Sequence, residues 1–80
     1  MQYINTLSEL PQGERGLVLD IYSEDHMRRR LQELGLIQGT KVSCVYKSPL
    51  GDPVAFEIRG TVIALRSEDS SLVRIQSCEE

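Results

Sequence analysis

Few side chains in this 80-residue sequence could do chemistry: one histidine, two cysteines, scattered acids and a run of three arginines. His26 is the sole imidazole, so a Ser/His/Asp or Cys/His nucleophile would hang on it alone. No G-x-S-x-G, H-E-x-x-H, G-x-x-x-x-G-K-S or C-x-x-C spacing occurs. The sequence therefore reads as that of a non-enzyme, with His26 a solvated side chain in the first turn of a helix. Glu24, Asp25 and His26 could each ligate a divalent ion. On a helix, however, consecutive side chains diverge by about 100° and cannot converge on one ion. A metal site would need His26, Cys44, Cys78 or the acidic tail to be assembled by folding or by a second subunit, so no metal site is expected, and these residues are candidates for weak divalent binding at most. A Cys44–Cys78 disulfide would need Cα atoms within about 7 Å. Nothing else marks an oxidising compartment, and two free thiols are the simpler expectation.

Arg28, Arg29 and Arg30 suggest phosphate binding, but three consecutive arginines on a helix fan over most of its circumference. Glu24 with Arg28 and Asp25 with Arg29 are i,i+4 pairs that would occupy two of them. Base-stacking platforms would have to be Tyr22 or Tyr46, because Phe56 belongs in a core. Nine basic against twelve acidic residues leave a net charge of −3, without the clustered positive charge that nucleic acid or an anionic membrane demands. The surface best suited to a partner is the loop Ser48-Pro49-Leu50-Gly51-Asp52-Pro53, with Leu50 at its tip. Two prolines stiffen it, which lowers the entropy lost on docking.

The elements that must position these residues follow from periodicity. Eighty residues make one small domain (1–80, with a core at about 6–76 and an acidic tail at 77–80) and an aliphatic core, since Trp is absent and Phe56 is the one Phe. The opening is turn-rich; Thr6 or Ser8 can cap a single helical turn that Pro11 and Gly13 end, with Leu7 and Leu10 buried. Strands are expected at Gly16–Tyr22, with Leu17, Leu19 and Ile21 inward, and at Lys41–Lys47, with Val42, Cys44 and Tyr46 inward. Three more are expected from Val54, with Phe56 and Ile58 inward, at Thr61–Arg66 and at Leu72–Gln76. Arg59-Gly60 reads as a tight turn or bulge, and Ser67–Ser70 as a polar connector with room for one 3₁₀ turn. Between the first two strands, Ser23 is a candidate N-cap, Met27, Leu31 and Leu34 form one apolar stripe, and Gly35 is a natural helix stop. Leu36 can fold back onto the stripe, and Gly39 turns the chain into the next strand. The result is an all-β fold: a small five-stranded barrel with one short α-helix inserted between strands one and two.

The ordered set Leu7-x-x-Leu10, Gly13-Glu14, Arg29-Arg30-Leu31-x-x-Leu34-Gly35-Leu36, Gly39-Thr40-x-Val42, Pro49-Leu50-Gly51-Asp52-Pro53, Ile58-x-Gly60 and Ala64-Leu65-Arg66 resembles the FeoA family. The resemblance runs from Thr6 to Ile75. It implies an SH3-like barrel, a fold that also closes some iron-dependent repressors. It implies a cytoplasmic accessory module of ferrous iron uptake that docks on the cytosolic part of the FeoB permease and supports or regulates transport. Leu50, Gly51, Asp52 and Pro53, with Arg29 and Leu36 as neighbours, are the candidate docking residues. Met27, Leu31, Leu34, Gly35, Gly39, Phe56, Ile58 and Gly60 are structural. The alternative functions are a weak Fe²⁺ carrier or sensor and, below that, a small RNA-binding barrel. No resident cofactor, nucleic-acid partner or membrane insertion is expected: the longest apolar runs, such as Val62-Ile63-Ala64-Leu65, are far short of a span. The sequence leaves the oligomeric state open.

Overall fold

The computed structural model describes residues 4–78. Its strands are β1 (Ile4–Thr6), β2 (Arg15–Ile21), β3 (Lys41–Lys47), β4 (Val54–Ile58), β5 (Thr61–Leu65) and β6 (Val73–Ser77). A 3₁₀ turn spans Leu7–Glu9, helix α1 spans Asp25–Glu33, and a one-turn helix α2 spans Ser67–Ser70. All strand pairings are antiparallel, in the order β1-β6-β2-β3-β4-β5. Buried side chains from the 3₁₀ turn, α1 and strands β2 to β6 meet in a single cluster. A sheet whose successive strands all line one cluster is rolled up, and α1, carried on the β2–β3 connection, plugs it.

The barrel has six strands rather than five. The additional one, β1, sets Asn5 opposite Ile75 at the sheet edge. Three residues are too few to show the alternation by which strands are read. Immediately after it, the Glu9 carboxylate accepts the Thr6 N–H at 3.0 Å, reciprocating across the first turn as a capping box does. Leu7 and Leu10 are buried as expected.

Two bulges account for the misassigned faces. The β2–β6 register slips between Val18 and Asp20, so Val18 and Ile21 are buried while Leu17 and Leu19 are only half-buried. The β3–β4 register slips between Cys44 and Tyr46. Tyr46 was expected inward beside Cys44, but it is 51% exposed. One extra residue in a strand inverts the phase of everything beyond it. In β4 the alternation is uninterrupted, and Val54, Phe56 and Ile58 all face the core.

Helix α1 begins one residue later than expected. Glu24 rather than Ser23 is the N-cap, and it makes no side-chain cap. The expected pairs Glu24–Arg28 and Asp25–Arg29 do not form ion pairs; Arg28 instead donates from Nη2 to the Ile21 carbonyl at 3.1 Å, tying the helix to the end of β2. Leu31 is fully buried, with Met27 and Leu34 packed against the core from its margin. The end of the helix is a Schellman motif: Leu36 N–H donates to the Leu31 carbonyl at 3.2 Å, and Gly35 N–H to Gln32 at 2.9 Å. Gly35 has φ +107, and a Cβ placed there would lie 2.9 Å from Ile58 Cγ2. The position thus demands glycine twice, for its backbone and for the close approach of β4. The chain then turns at Gly39 (φ +89), with Thr40 N–H donating to the Ile37 carbonyl at 3.0 Å.

The Ser67–Ser70 connector is one turn of α-helix rather than 3₁₀: Ser71 N–H reaches the Ser67 carbonyl at 2.9 Å. The last strand runs one residue further than expected, and Cys78 N–H donates to the Arg15 carbonyl at 2.9 Å. The start of the expected acidic tail is therefore pinned to the sheet, while Glu79 and Glu80 lie outside the described residues.

Two substitutions test the helix plug. Leu31→Ala should cost about 2–5 kcal/mol, the usual range for a large-to-small change in a core. Gly35→Ala should cost about 1–3 kcal/mol from the left-handed backbone, with the Ile58 contact adding to it. Chemical denaturation would show both as lower midpoints, and unchanged midpoints would mean that α1 does not seal the core.

Candidate functional site

The loop joining β3 to β4 holds most of the sequence-designated docking residues. Its tip is a turn in which Gly51 N–H donates to the Ser48 carbonyl at 2.8 Å. At its base, Ser48 N–H reaches the Pro53 carbonyl at 3.4 Å. Asp52 fixes it from the side: its Oδ1 accepts the Ser67 N–H, at the start of α2, at 2.8 Å. This carboxylate serves α2 as an N-cap supplied from elsewhere in the chain, satisfying an amide that the helix cannot. Asp52 is thus a brace for the loop. Leu50, held above this base, is 94% exposed. A large apolar side chain so fully in water, on a loop tied down by hydrogen bonds on both sides, gains by burial against another surface.

The same hairpin carries Val45 and Tyr46, both exposed. The sequence reading set Tyr46 on the Cys44 face of β3 and did not count either residue among the docking candidates; the bulge that turns Tyr46 out leaves no mark in the alternation. Two designated neighbours fare differently. Arg29 is exposed on α1, beside Asp25 and His26 at a shallow hollow. Leu36 has 0% exposure and belongs to the core, so it cannot touch a partner. Its role in the Schellman motif explains its place among the motif residues. No hydrogen bond of the described residues joins Arg29 to the Leu50 loop.

The candidate metal ligands do not meet. Cys44 is buried on β3, Cys78 follows β6, and His26 is exposed on α1. Among the described residues, no three His, Cys, Asp or Glu side chains gather as they would around an ion. Both cysteines are free thiols. Burial pushes the Cys44 thiol above its ordinary value, with the Lys47 ammonium opposing by a smaller amount. A protonated, enclosed thiol is a poor ligand and a poor nucleophile.

The chain has relatives of known family. The profile of the FeoA domain matches residues 5–77. A Porphyromonas gingivalis protein, described as a fusion of Fe(2+) transport protein A with the Fe(2+) transporter FeoB, is 30% identical over 70 residues. The match takes in 88% of this chain but only 8% of that far longer protein. The solution structure of a FeoA protein from Chlorobium tepidum superposes with a TM-score of 0.85 at 32% identity, covering 92% of this chain and 70% of that one. A zinc-complexed FeoA from Stenotrophomonas maltophilia, described as a prokaryotic SH3 domain protein, superposes at 0.77 with 34% identity, over 89% and 93% of the two chains. The barrel is therefore SH3-like.

Two measurements check the local chemistry. Asp52→Ala should lower stability by about 0.5–2 kcal/mol, the usual cost of a lost N-cap, and should speed amide exchange at Ser67; unchanged exchange would remove the brace. At mildly alkaline pH, an alkylating reagent should modify Cys78 at least roughly tenfold faster than Cys44, because only the thiolate reacts. In the linkage sense, the fold keeps Cys44 protonated, so its stability is full below the ordinary thiol pKa. That stability falls as pH rises from there toward the raised folded value, where the unfolded chain alone gains the thiolate.

Proposed function

Because the chain belongs to the FeoA domain family, we propose that it is a non-enzymatic accessory module of ferrous iron uptake that docks on the cytosolic part of a FeoB-type transporter. The observation that carries this reading is Leu50, 94% exposed on a loop braced through Asp52 and Ser67. Such a loop presents its apolar tip without first having to be ordered, so little of the binding energy is lost to entropy. Val45 and Tyr46 extend the same hairpin as further apolar contacts, and aromatic side chains of this kind are frequent anchors of interfaces. The P. gingivalis fusion protein supports the choice of partner, because two domains on one polypeptide are held at high effective concentration. The S. maltophilia FeoA has been put forward as a ferrous iron transport activating factor. A docking module of this size would act by biasing the transporter's own conformations, binding one of them better than another.

The test is a binding titration of the wild-type chain and Leu50→Asp against a FeoB cytosolic region and against detergent-solubilised transporter. Wild type should bind, and Leu50→Asp should weaken binding by about tenfold or more, as loss of a central apolar anchor does. Leu50→Asp should leave the melting temperature within the small range of surface changes, since Leu50 touches no core residue. Absence of wild-type binding to both preparations would end the docking reading; equal binding by the variant would move the docking surface elsewhere.

A further inference from the structure

Among the described residues, the sheet has an unpaired edge at β5. Strand β5 pairs with β4, and among the described residues no strand lies on its other side. The hairpin between them closes on Arg59 and Gly60, both with positive φ (52 and 83), with Ile58 opposite Thr61. That is a two-residue type I′ turn, whose closing pair exchanges both ladder hydrogen bonds. Bonded pairs alternate from there, so Phe56–Ile63 and Val54–Leu65 are also bonded. The N–H and C=O groups of Val62 and Ala64 therefore point away from β4, and no hydrogen bond of the described residues satisfies them. Val62 is 59% exposed.

Natural edges are blunted by lysine, proline, bulges or covering loops. Here Thr61-Val62-Ile63-Ala64-Leu65 contains no charge and no proline, and its register with β4 is uninterrupted. Beside it, between α1 and β5, run two adjoining hollows of about 400 and 340 Å³ that share Leu34 and Ile63. Met27 and Leu65 continue their apolar lining. Three arginines bracket this groove: Arg59 at the hairpin end, and Arg30 and Arg66 at the other. All three are exposed and none is in an ion pair among the described residues. Glu33 and Asp69 also line the two hollows, so the local balance is positive on a chain whose net charge is −3.

We propose that the β5 edge is a second docking site, which takes an extended acidic-ended peptide segment as an added antiparallel strand, its backbone bonded to Val62 and Ala64, one row of its side chains in the α1–β5 groove, and its carboxylates facing Arg59 at one end and Arg30 and Arg66 at the other. The charge arrangement favours this occupant over a second copy paired about Ile63. Antiparallel self-pairing centred on Ile63 would set Arg66 opposite Gly60 of the other copy and beside that copy's Arg59, so like charges would meet at both ends. A strand carrying carboxylates there turns the same positions into attraction. Main-chain bonds then supply affinity, while the groove and the arginines supply selectivity. The proposal does not rest on the docking role of the Leu50 loop and stands whether or not that loop binds a transporter.

The test needs the protein alone, with synthetic peptides. A short blocked peptide of alternating Val and Thr with glutamates at both ends is titrated into isotopically labelled protein, beside a lysine-ended peptide and a backbone N-methylated version of the first. The glutamate-ended peptide should shift the Val62 and Ala64 amide resonances saturably and slow their exchange with solvent. The lysine-ended peptide should bind about tenfold or more weakly, the N-methylated peptide should not bind, and Arg66→Glu should narrow the preference between the two charged peptides. Silence of the Val62 and Ala64 amides up to millimolar peptide would overturn the proposal, as would equal affinity for both charged peptides. Sedimentation showing a dimer of the free protein, with these amides already protected, would assign the edge to a second copy instead.

Discussion

The contact on which the rest depends is the junction where α1 stops against β4. Leu31 and Leu36, on either side of the helix end, both enter the core, and the Schellman bonds between them fix the reversal. The reversal is possible because Gly35 supplies a left-handed residue with no Cβ where Ile58 comes close. A nine-residue helix has too little cooperativity to persist in water. It is held because its apolar stripe closes the rolled sheet, and the sheet is closed because the helix is there. Small domains seldom have redundancy of this kind to lose.

Beyond that junction the two hairpins end in differently built exposed features. The β3–β4 hairpin extends beyond the barrel and exposes Leu50, with its loop anchored to α2 through Asp52. The β4–β5 hairpin ends instead at a tight turn and leaves its outer backbone unpaired. The two hairpins share β4, whose Val54, Phe56 and Ile58 are all buried. One strand with a fully buried inner row therefore carries an apolar tip on one flank and a bare hydrogen-bonding edge on the other. The first is a side-chain surface and the second a main-chain surface, so they suit different kinds of partner.

How much of this was legible depended on whether local pattern or distant pairing decided each feature. The α1 stripe, the Gly35 stop, the Gly39 turn, the bounds of β3 and the alternation of β4 are all local, and each stood in the sequence. The order of motifs from Leu7 to Arg66 likewise announced the family. The bulges at Val18/Asp20 and Cys44/Tyr46 are properties of two strands at once, so no single stretch displays them; they turned Tyr46 outward and Val18 inward. β1 is recognised as a strand through its pairing with β6, since three residues have no period. Leu36 shows the limit of motif reading at the site: its place in a signature reflects how the helix ends, and burial excludes it from any interface. The open edge at Val62 and Ala64 was written in an uncharged strand, but that composition equally suits a buried strand, and only the sheet order separates the two.

The sheet order has a further consequence for how the chain acquires its shape. β6 lies between β1 and β2, so a strand made late separates two made early, and Ile4 pairs opposite Gln76. During synthesis, the segment from β2 to β5 can form its hairpins as it emerges, because those pairings are sequential. β1 and β2 have no common neighbour until the chain reaches Val73–Ser77. Closure of the barrel therefore waits for β6, and it joins segments as distant in sequence as Ile4 and Gln76, which is slow relative to local pairing. Until then the inner faces of Leu7, Val18 and Ile21 lack the Val73 and Ile75 that cover them, and a nascent chain interrupted before β6 would expose an unfinished barrel to whatever hydrophobic surface is near.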